Sequence, residues 1–296
     1  ATGLDFITKF SAAAEKRGIP IITNMKAEEL VRDASGRVTG IKATMDGKSY
    51  TFSARKGVVI ATGGFAANVA MRTEANPFYG DGFKTTNMPG AMGEGITMAK
   101  NIGAQVVNMG LIQTYPMCDP NSGAIELIDD ARFEGAILVN QEGKRFVNEL
   151  ANRKVRADAI FAEEAKGLKA VAIANQYGAD KLEAARPGIM KKLVEPNIVS
   201  KYDTLEALAK DFNIPLDVLK KTLAQVNESA KTKNDKPFGR YINNEFKPLT
   251  EGPWYAAITS PKVHHCMGGL LTNMKGQVLD IMDQEPIPGL YADGED

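Results

Sequence analysis

Lys56-Gly57-Val58-Val59-Ile60 is a short apolar run that passes without a polar turn into Ala61-Thr62-Gly63-Gly64-Phe65. A buried strand that ends in a glycine pair brings bare backbone up to whatever lies beyond it. A second glycine-rich stretch, Thr86 to Gly95, follows and leads into a helix pattern, Ile96 to Gly103. Open N–H groups at a helix start suit an anionic or carbonyl-rich ligand. Either stretch alone reads equally well as a tight turn or a loosened loop. Two in close succession favour a ligand.

The 296 residues are enough for two domains and a sizeable buried core. Lys plus Arg equals Asp plus Glu, 36 each, so no bulk field favours nucleic acid or an anionic membrane. No apolar run approaches the ~20 residues needed to span a bilayer. Cys118 and Cys266 lie far apart without metal-ligand spacing, and read as free or buried thiols rather than a disulfide. The two histidines, His264 and His265, are adjacent. On a strand they point to opposite faces, so at most one faces a given pocket. No signal-peptide pattern opens the chain. It begins inside a helical pattern and stops within a glycine-bearing loop, Gly289 to Asp296, which suggests a piece of a longer polypeptide.

Leu4, Ile7, Phe10 and Ala14 recur at helical spacing, with Gly18 as the stop. Pro20 to Thr23 reads as a short strand. Ala27 to Val31, Val38 to Ala43 and Ser49 to Phe52 read as strands joined at Asp33-Ala34-Ser35-Gly36 and Asp46-Gly47. Beyond Leu111 the composition changes. A hairpin turns at Gln141-Glu142-Gly143, a helix covers Ala157 to Lys166, and a strand covers Val171 to Ala174. Leu205 to Phe212 and Leu216 to Thr232 form a helix pair. The stripe Leu216, Leu219, Leu223 and Val226 is core, not chemistry.

The stretch from Tyr115 to Arg153 holds the candidate chemistry. Asp129 and Arg132 are three apart, as on a helical turn, and Arg153 could complete an arginine–carboxylate–arginine relay. Arginine, with a pKa above ~12, donates a proton only if neighbours restore it at once. From spacing alone a surface ion-pair cluster is the better reading. Asp129 and Asp130 together would repel a dicarboxylate and attract a substrate with one carboxylate and one hydrogen-bond-donating end. Tyr115 offers a flat ring for stacking, or is an ordinary core tyrosine. In Val263-His264-His265-Cys266-Met267-Gly268-Gly269, the glycine pair beside the histidines favours ligand contact over a structural histidine.

KGVVIATGGF (Lys56 to Phe65), TNMPGAMGEG (Thr86 to Gly95), VNQEGKRFVNE (Val139 to Glu149), VHHCMGGL (Val263 to Leu270) and GLYADGE (Gly289 to Glu295) together resemble the soluble fumarate reductase family of flavoproteins. That family includes flavocytochrome c fumarate reductases and urocanate reductases. The resemblance implies an α/β plus α+β chain: part of a Rossmann-like FAD-binding domain, residues 1–110 and 265–296, with an inserted mobile capping domain, residues 111–264. The family's N-terminal Gly-x-Gly-x-x-Gly turn is not found here, nor is its downstream segment with a further substrate-binding arginine. The resemblance makes Arg153 the proton donor, Asp129 and Arg132 its relay, and His265 the substrate-carboxylate histidine. Ala27, Thr62, Gly63, Gly64, Thr86, Asn87, Gly93, Glu94, Gly95, Gly268 and Glu295 fall in flavin-contact segments.

Tyr115 departs from the fumarate-reducing pattern, which has histidine there. With Asp130 it looks like the urocanate-reducing branch. A shift of about one residue between Pro116 and Arg132 leaves Asp129 and Asp130 interchangeable in this alignment. The expected reaction is reduction of the side-chain double bond of urocanate to imidazole propionate, by hydride from flavin N5 and a proton from Arg153. Fumarate reduction, reduction of another aryl acrylate, and a non-catalytic interaction module are the rival readings. No haem-attachment Cys-x-x-Cys-His is present, so the electron donor, a cytochrome or a flavin domain or protein, is open. Relatives in this family are often exported, which tilts the expectation toward an extracytoplasmic location over a cytoplasmic one.

Overall fold

Turn chemistry lays out the first strands. Asp33 accepts from the backbone of Ser35 and Arg37 at 2.9 and 3.1 Å, closing the hairpin between β1 (Lys26–Arg32) and β2 (Val38–Met45). Asp46 and Gly47, with φ of 51° and 73°, close the next one, to β3 (Lys48–Ser53). The computed structural model describes residues 3–125 and 128–295, apart from the side chain of Asp129. It divides the chain into two compact units.

The first unit comprises Ala1–Gly64, Gly93–Asn108 and Gly268–Asp296. Helix α1 (Gly3–Lys16) opens it and buries none of its residues. The strand expected at Pro20 to Thr23 is not formed, because its backbone finds no partner strand among the described residues. After the β1–β2–β3 meander comes β4 (Val58–Ile60). Beyond α2 (Val69–Ala75), which belongs to the second unit, the first resumes with α3 (Glu94–Lys100) and β5 (Val106–Val107). The helix expected from Ile96 thus starts two residues earlier. Gly93, at φ 72°, takes the left-handed cap that a side chain would resist.

The second unit comprises Phe65–Met92 and Met109–Met267. Residues 65–92, read from sequence as part of the flavin domain, pack in this unit. Its elements are β6 (Ile112–Cys118), β7 (Ile137–Asn140), α4 (Arg153–Glu164), β8 (Ala170–Asn175), α5 (Gln176–Ala185), α6 (Ile189–Val194), β9 (Ser200–Tyr202), α7 (Leu205–Asp211), α8 (Leu216–Thr232) and β10 (Trp254–Cys266). One five-stranded sheet runs β6–β10–β8–β7, with β9 also on β10. β10 pairs with β8 through its first half and with β6 through its second.

β8 is buried along its whole length, and its alternation sorts two cores. Val171 and Ile173 point to one face, with Leu208, Leu219, Leu223, Val226 and Trp254. Ala170, Ala172 and Ala174 point to the other, with Ile160, Leu182, Leu193 and Met117. The alanines let α4 and α5 approach closely. The expected stripe on α8 is core, with Leu216 partly buried at its edge.

The first unit closes with β11 (Gly269–Leu270), β12 (Gln277–Leu279) and β13 (Pro286–Ala292). β13 runs parallel to β4, and the two end in register at Ala292 and Ile60. Cys118 and Cys266 are both buried free thiols. Among the described residues, no helix is long and apolar enough to cross a membrane.

Candidate active site

Strand period decides which side chains of β6 meet. Gln113 and Tyr115 are two apart and share a face, while Ile112 and Thr114 turn into the core. Across the ladder, Tyr115 pairs with Lys262 and Thr114 with Val263. The next pair is Gln113 with His265, so a bulge sets both His264 and His265 opposite one residue. His264, two from Lys262, lies on the Tyr115 face. The rings of Tyr115 and His264 sit 5.1 Å apart, tilted by 55°. His264 is the histidine set against Tyr115, while His265, expected at the substrate carboxylate, stands opposite Gln113. The cause is tertiary: Val263 donates to Lys84 O at 3.0 Å and accepts from Thr86 N at 2.9 Å, holding the bulge from the other edge.

Thr86 and Asn87, expected at the flavin, both engage His264. The Thr86 hydroxyl is 2.6 Å from His264 Nδ1, and Asn87 Nδ2 donates to His264 O at 2.5 Å. With the hydroxyl donating, the ring proton sits on Nε2.

Arg153 completes this group. Its guanidinium lies 4.9 Å from the centre of the Tyr115 ring, and Nη1 donates to Gln113 Oε1 at 2.8 Å. It is the first residue of α4, which therefore starts before the expected Ala157. Asn152 caps the helix by accepting from Val155 N. A cation at a helix N-terminus faces the positive end of the dipole, a cost of about 0.3–1 kcal/mol. Stability does not explain an arginine there. A cavity of about 430 Å³ adjoins the group, with Tyr79, Gln113, Lys154 and Asp158 in its wall. Lys262 is buried as well, with Ser260 Oγ 3.1 Å away, and burial pushes its pKa down.

Asp130 and Arg132 lie on a 3-10 turn, Ile128–Phe133. Asp130 Oδ1 is 3.4 Å from Arg132 Nη1, and Oδ2 is 3.0 Å from Arg186 Nη2. The side chain of Asp129 lies outside the described residues, so the Asp129–Arg132–Arg153 relay is not traced. Arg186 carried no signal in the sequence reading, being distant in the chain and unremarkable in type.

Behind the turn is a sealed network. Arg145 bonds Glu149 at 2.6 Å and Asp235 at 2.9 Å, and Arg240 reaches Glu149 at 3.2 Å. Arg240 also donates to the backbone oxygen of Arg132, tying the network to the turn. Burial works against each charge, but the bonds outweigh it. They hold the Arg145 guanidinium above its ordinary range and the Asp235 carboxyl below its own.

In the first unit the flavin-segment residues gather where β4 and β13 end. Ligands of parallel α/β sheets bind beyond the carboxyl ends of the strands. A Cβ on Gly64 would lie 2.6 Å from Glu295 Oε1, and one on Gly95 would strike the Thr62 hydroxyl. Gly63 takes φ 77°. Lys26, beside Ala27, pairs with Glu94 at 3.3 Å, which brings the start of β1 to α3. Bare backbone, a hydroxyl and a carboxylate at one strand edge fit a group rich in phosphate and hydroxyl oxygens. Thr62, Gly63, Gly64, Gly95 and Glu295 are the residues that would hold it. Gly268 immediately precedes β11.

Residues 1–296 match the family described as FAD binding domain. The chain is 39% identical over 299 residues to the urocanate reductase of Eggerthella lenta, covering 99% of this chain and 48% of that protein. It is 34% identical to the acrylate reductase flavoprotein subunit of Shewanella woodyi, covering 95% and 57%. The open conformation of a flavocytochrome c3 fumarate reductase matches with a TM-score of 0.75 at 32% identity, covering 98% of this chain and 49% of that one. The chain spans about half the length of the curated relatives it matches. With strand ends and glycines that suit the cofactor, and a match along its whole length, the chain belongs to the FAD binding domain family, and FAD is its cofactor.

Proposed function

We propose that this chain is the core of an enzyme that reduces the double bond of an unsaturated carboxylic acid, urocanate, to imidazole propionate. The observation that carries the reading is Arg153 over the Tyr115 ring, with the His264 ring 5.1 Å from the same tyrosine. The chemistry that FAD supplies when bound is hydride transfer from N5 to the side-chain double bond. Arg153 gives the proton to the neighbouring carbon, and Asp129 with Arg132 restores it. His264 Nε2 donates to the substrate carboxylate, and the Tyr115 ring lies against the imidazole. Asp130 accepts from the imidazole N–H. Residues 111–264 act as the mobile cap that excludes water during turnover. The electron donor, a cytochrome or flavin domain or protein, and an extracytoplasmic location belong to the same proposal.

One observation favours a second reading. Asp130 is already matched by two arginines, which would suit a carboxylate end and hence fumarate. Steady-state turnover of the intact FAD-loaded enzyme, with reduced viologen as electron source, separates them. Urocanate is expected to turn over faster than fumarate or acrylate. Faster fumarate reduction overturns the first reading.

A further inference from the structure

We propose that Arg186 is a specificity-determining residue, which competes with the substrate for Asp130. The proposal rests on the reading of Asp130 as partner of the substrate's ring N–H. Its basis is the way α5 meets the 3-10 turn. A Cβ on Gly178 would lie 3.0 Å from Ala131 Cβ and 3.4 Å from Ala174 Cβ, so the helix sits directly on the turn. α5 stops at Arg186, whose N–H bonds Leu182 O, and Pro187 follows. Glu183 accepts from Gly188 N at 2.6 Å and Met190 N at 3.0 Å, which fixes the corner into α6. The backbone of Arg186 is thus anchored beside Asp130, while its side chain is 52% exposed.

The two guanidinium groups take different oxygens of Asp130. A ring N–H that approaches either oxygen competes with the guanidinium already on it. Arg132 is only 19% exposed, stacks 5.0 Å from the Phe133 ring, and has its carbonyl gripped by Arg240. Arg186 is the one whose charge water can take up on release. Asp130 with Arg186 engaged favours an anionic substrate end, and Asp130 with Arg186 displaced favours a donor. Exposed pairs reach ~1 kcal/mol, so the effect should be as much as roughly 5-fold.

The test uses the intact FAD-loaded enzyme and three substrates, urocanate, fumarate and acrylate. Arg186→Gln is expected to lower KM for urocanate and raise KM for fumarate, each by as much as roughly 5-fold, with the changes in KM rather than kcat. Acrylate, which has no second end, is unaffected. Binding of imidazole propionate, read from the flavin absorbance, should tighten in parallel. In an Asp130→Asn background the urocanate effect disappears. Three KM values moving together indicate a structural role and overturn the proposal, as does no change or full additivity with Asp130→Asn. If Asp130→Asn alone leaves urocanate KM unaltered, the reading of Asp130 itself has failed, and that result is distinct from a silent Arg186.

Discussion

Two charge clusters in the second unit share a wall and differ in everything else. Arg145, Glu149, Asp235 and Arg240 are each 6% exposed or less, with multiple short bonds. Asp130, Arg132 and Arg186 are 19–52% exposed, with ion-pair contacts of 3.0 and 3.4 Å. In the sealed cluster each charge depends on its partners, since leaving one unpaired forfeits its solvation. In the open cluster water can replace a partner. The sealed cluster therefore specifies a geometry, and the open one can exchange partners with a substrate. The bond from Arg240 to the Arg132 carbonyl is where the first positions the second.

The largest effect expected from this contrast is on stability. Glu149→Ala takes a buried carboxylate partner from both Arg145 and Arg240 and should cost about 3–5 kcal/mol. Asp130→Ala should cost under about 1 kcal/mol. Urea unfolding of both variants measures the gap. Equal losses would erase the distinction between the clusters.

Catalysis should show the reverse. Arg153→Lys keeps the charge but loses the planar fork that both stacks on Tyr115 and bonds Gln113. Turnover of the FAD-loaded enzyme should fall on the order of 10²–10⁴-fold. The thermal midpoint should hold, because a cation at the start of α4 contributes nothing to the helix. A variant that lost stability and turnover together would make Arg153 a structural residue.

The parts of the chain that were readable in advance are those decided locally. Asp33 to Gly36 and Asp46-Gly47 announce the β1–β2–β3 meander, and the spacing of Leu219, Leu223 and Val226 announces a buried helix face. The site was readable as residue types but not as a constellation. Tyr115 and Arg153 do meet. The bulge that sets His264 against Tyr115 depends on Lys84 and Thr86, far off in sequence, whereas His265 was named from the resemblance. Arg186 reaches Asp130 only because α5 packs on the turn through Gly178. The apolar run at Pro20 to Thr23 shows the converse: a good strand sequence stays unpaired where no partner strand is offered.

The acid limb sharpens the comparison further. Burial raises the pKa of Asp235, but the bonds from Arg145 and Arg240 bring it below the ordinary 3.8. Its contribution is thus in place above about pH 4 and is lost as pH falls through the lower native value. Asp235→Asn should be clearly less stable than the parent at pH 7. The difference should shrink at strongly acid pH, as urea midpoints at a series of pH values would show. A gap that stayed constant down the acid limb would mean the carboxylate charge contributes nothing.

Lys262 offers the finest test, because it is buried like the sealed cluster yet lacks that cluster's partners. It is 7% exposed, its bond is to Ser260 Oγ, and no carboxylate lies within ion-pair distance among the described residues. Burial lowers its pKa from 10.5, so folding disfavours the charged form of this lysine. Lys262→Met should therefore stabilise, on the order of 1 kcal/mol. The sign follows from proton release. As pH rises toward 10.5 the native lysine loses its proton before the unfolded one, the parent gains stability, and the advantage of the variant narrows. Lys262 stands opposite Tyr115 in the ladder. A stabilised variant with impaired urocanate turnover would place this lysine with the open cluster in purpose, although it shares the burial of the sealed one. A destabilised variant would show that the Ser260 bond and the packing of its stem outweigh the buried charge.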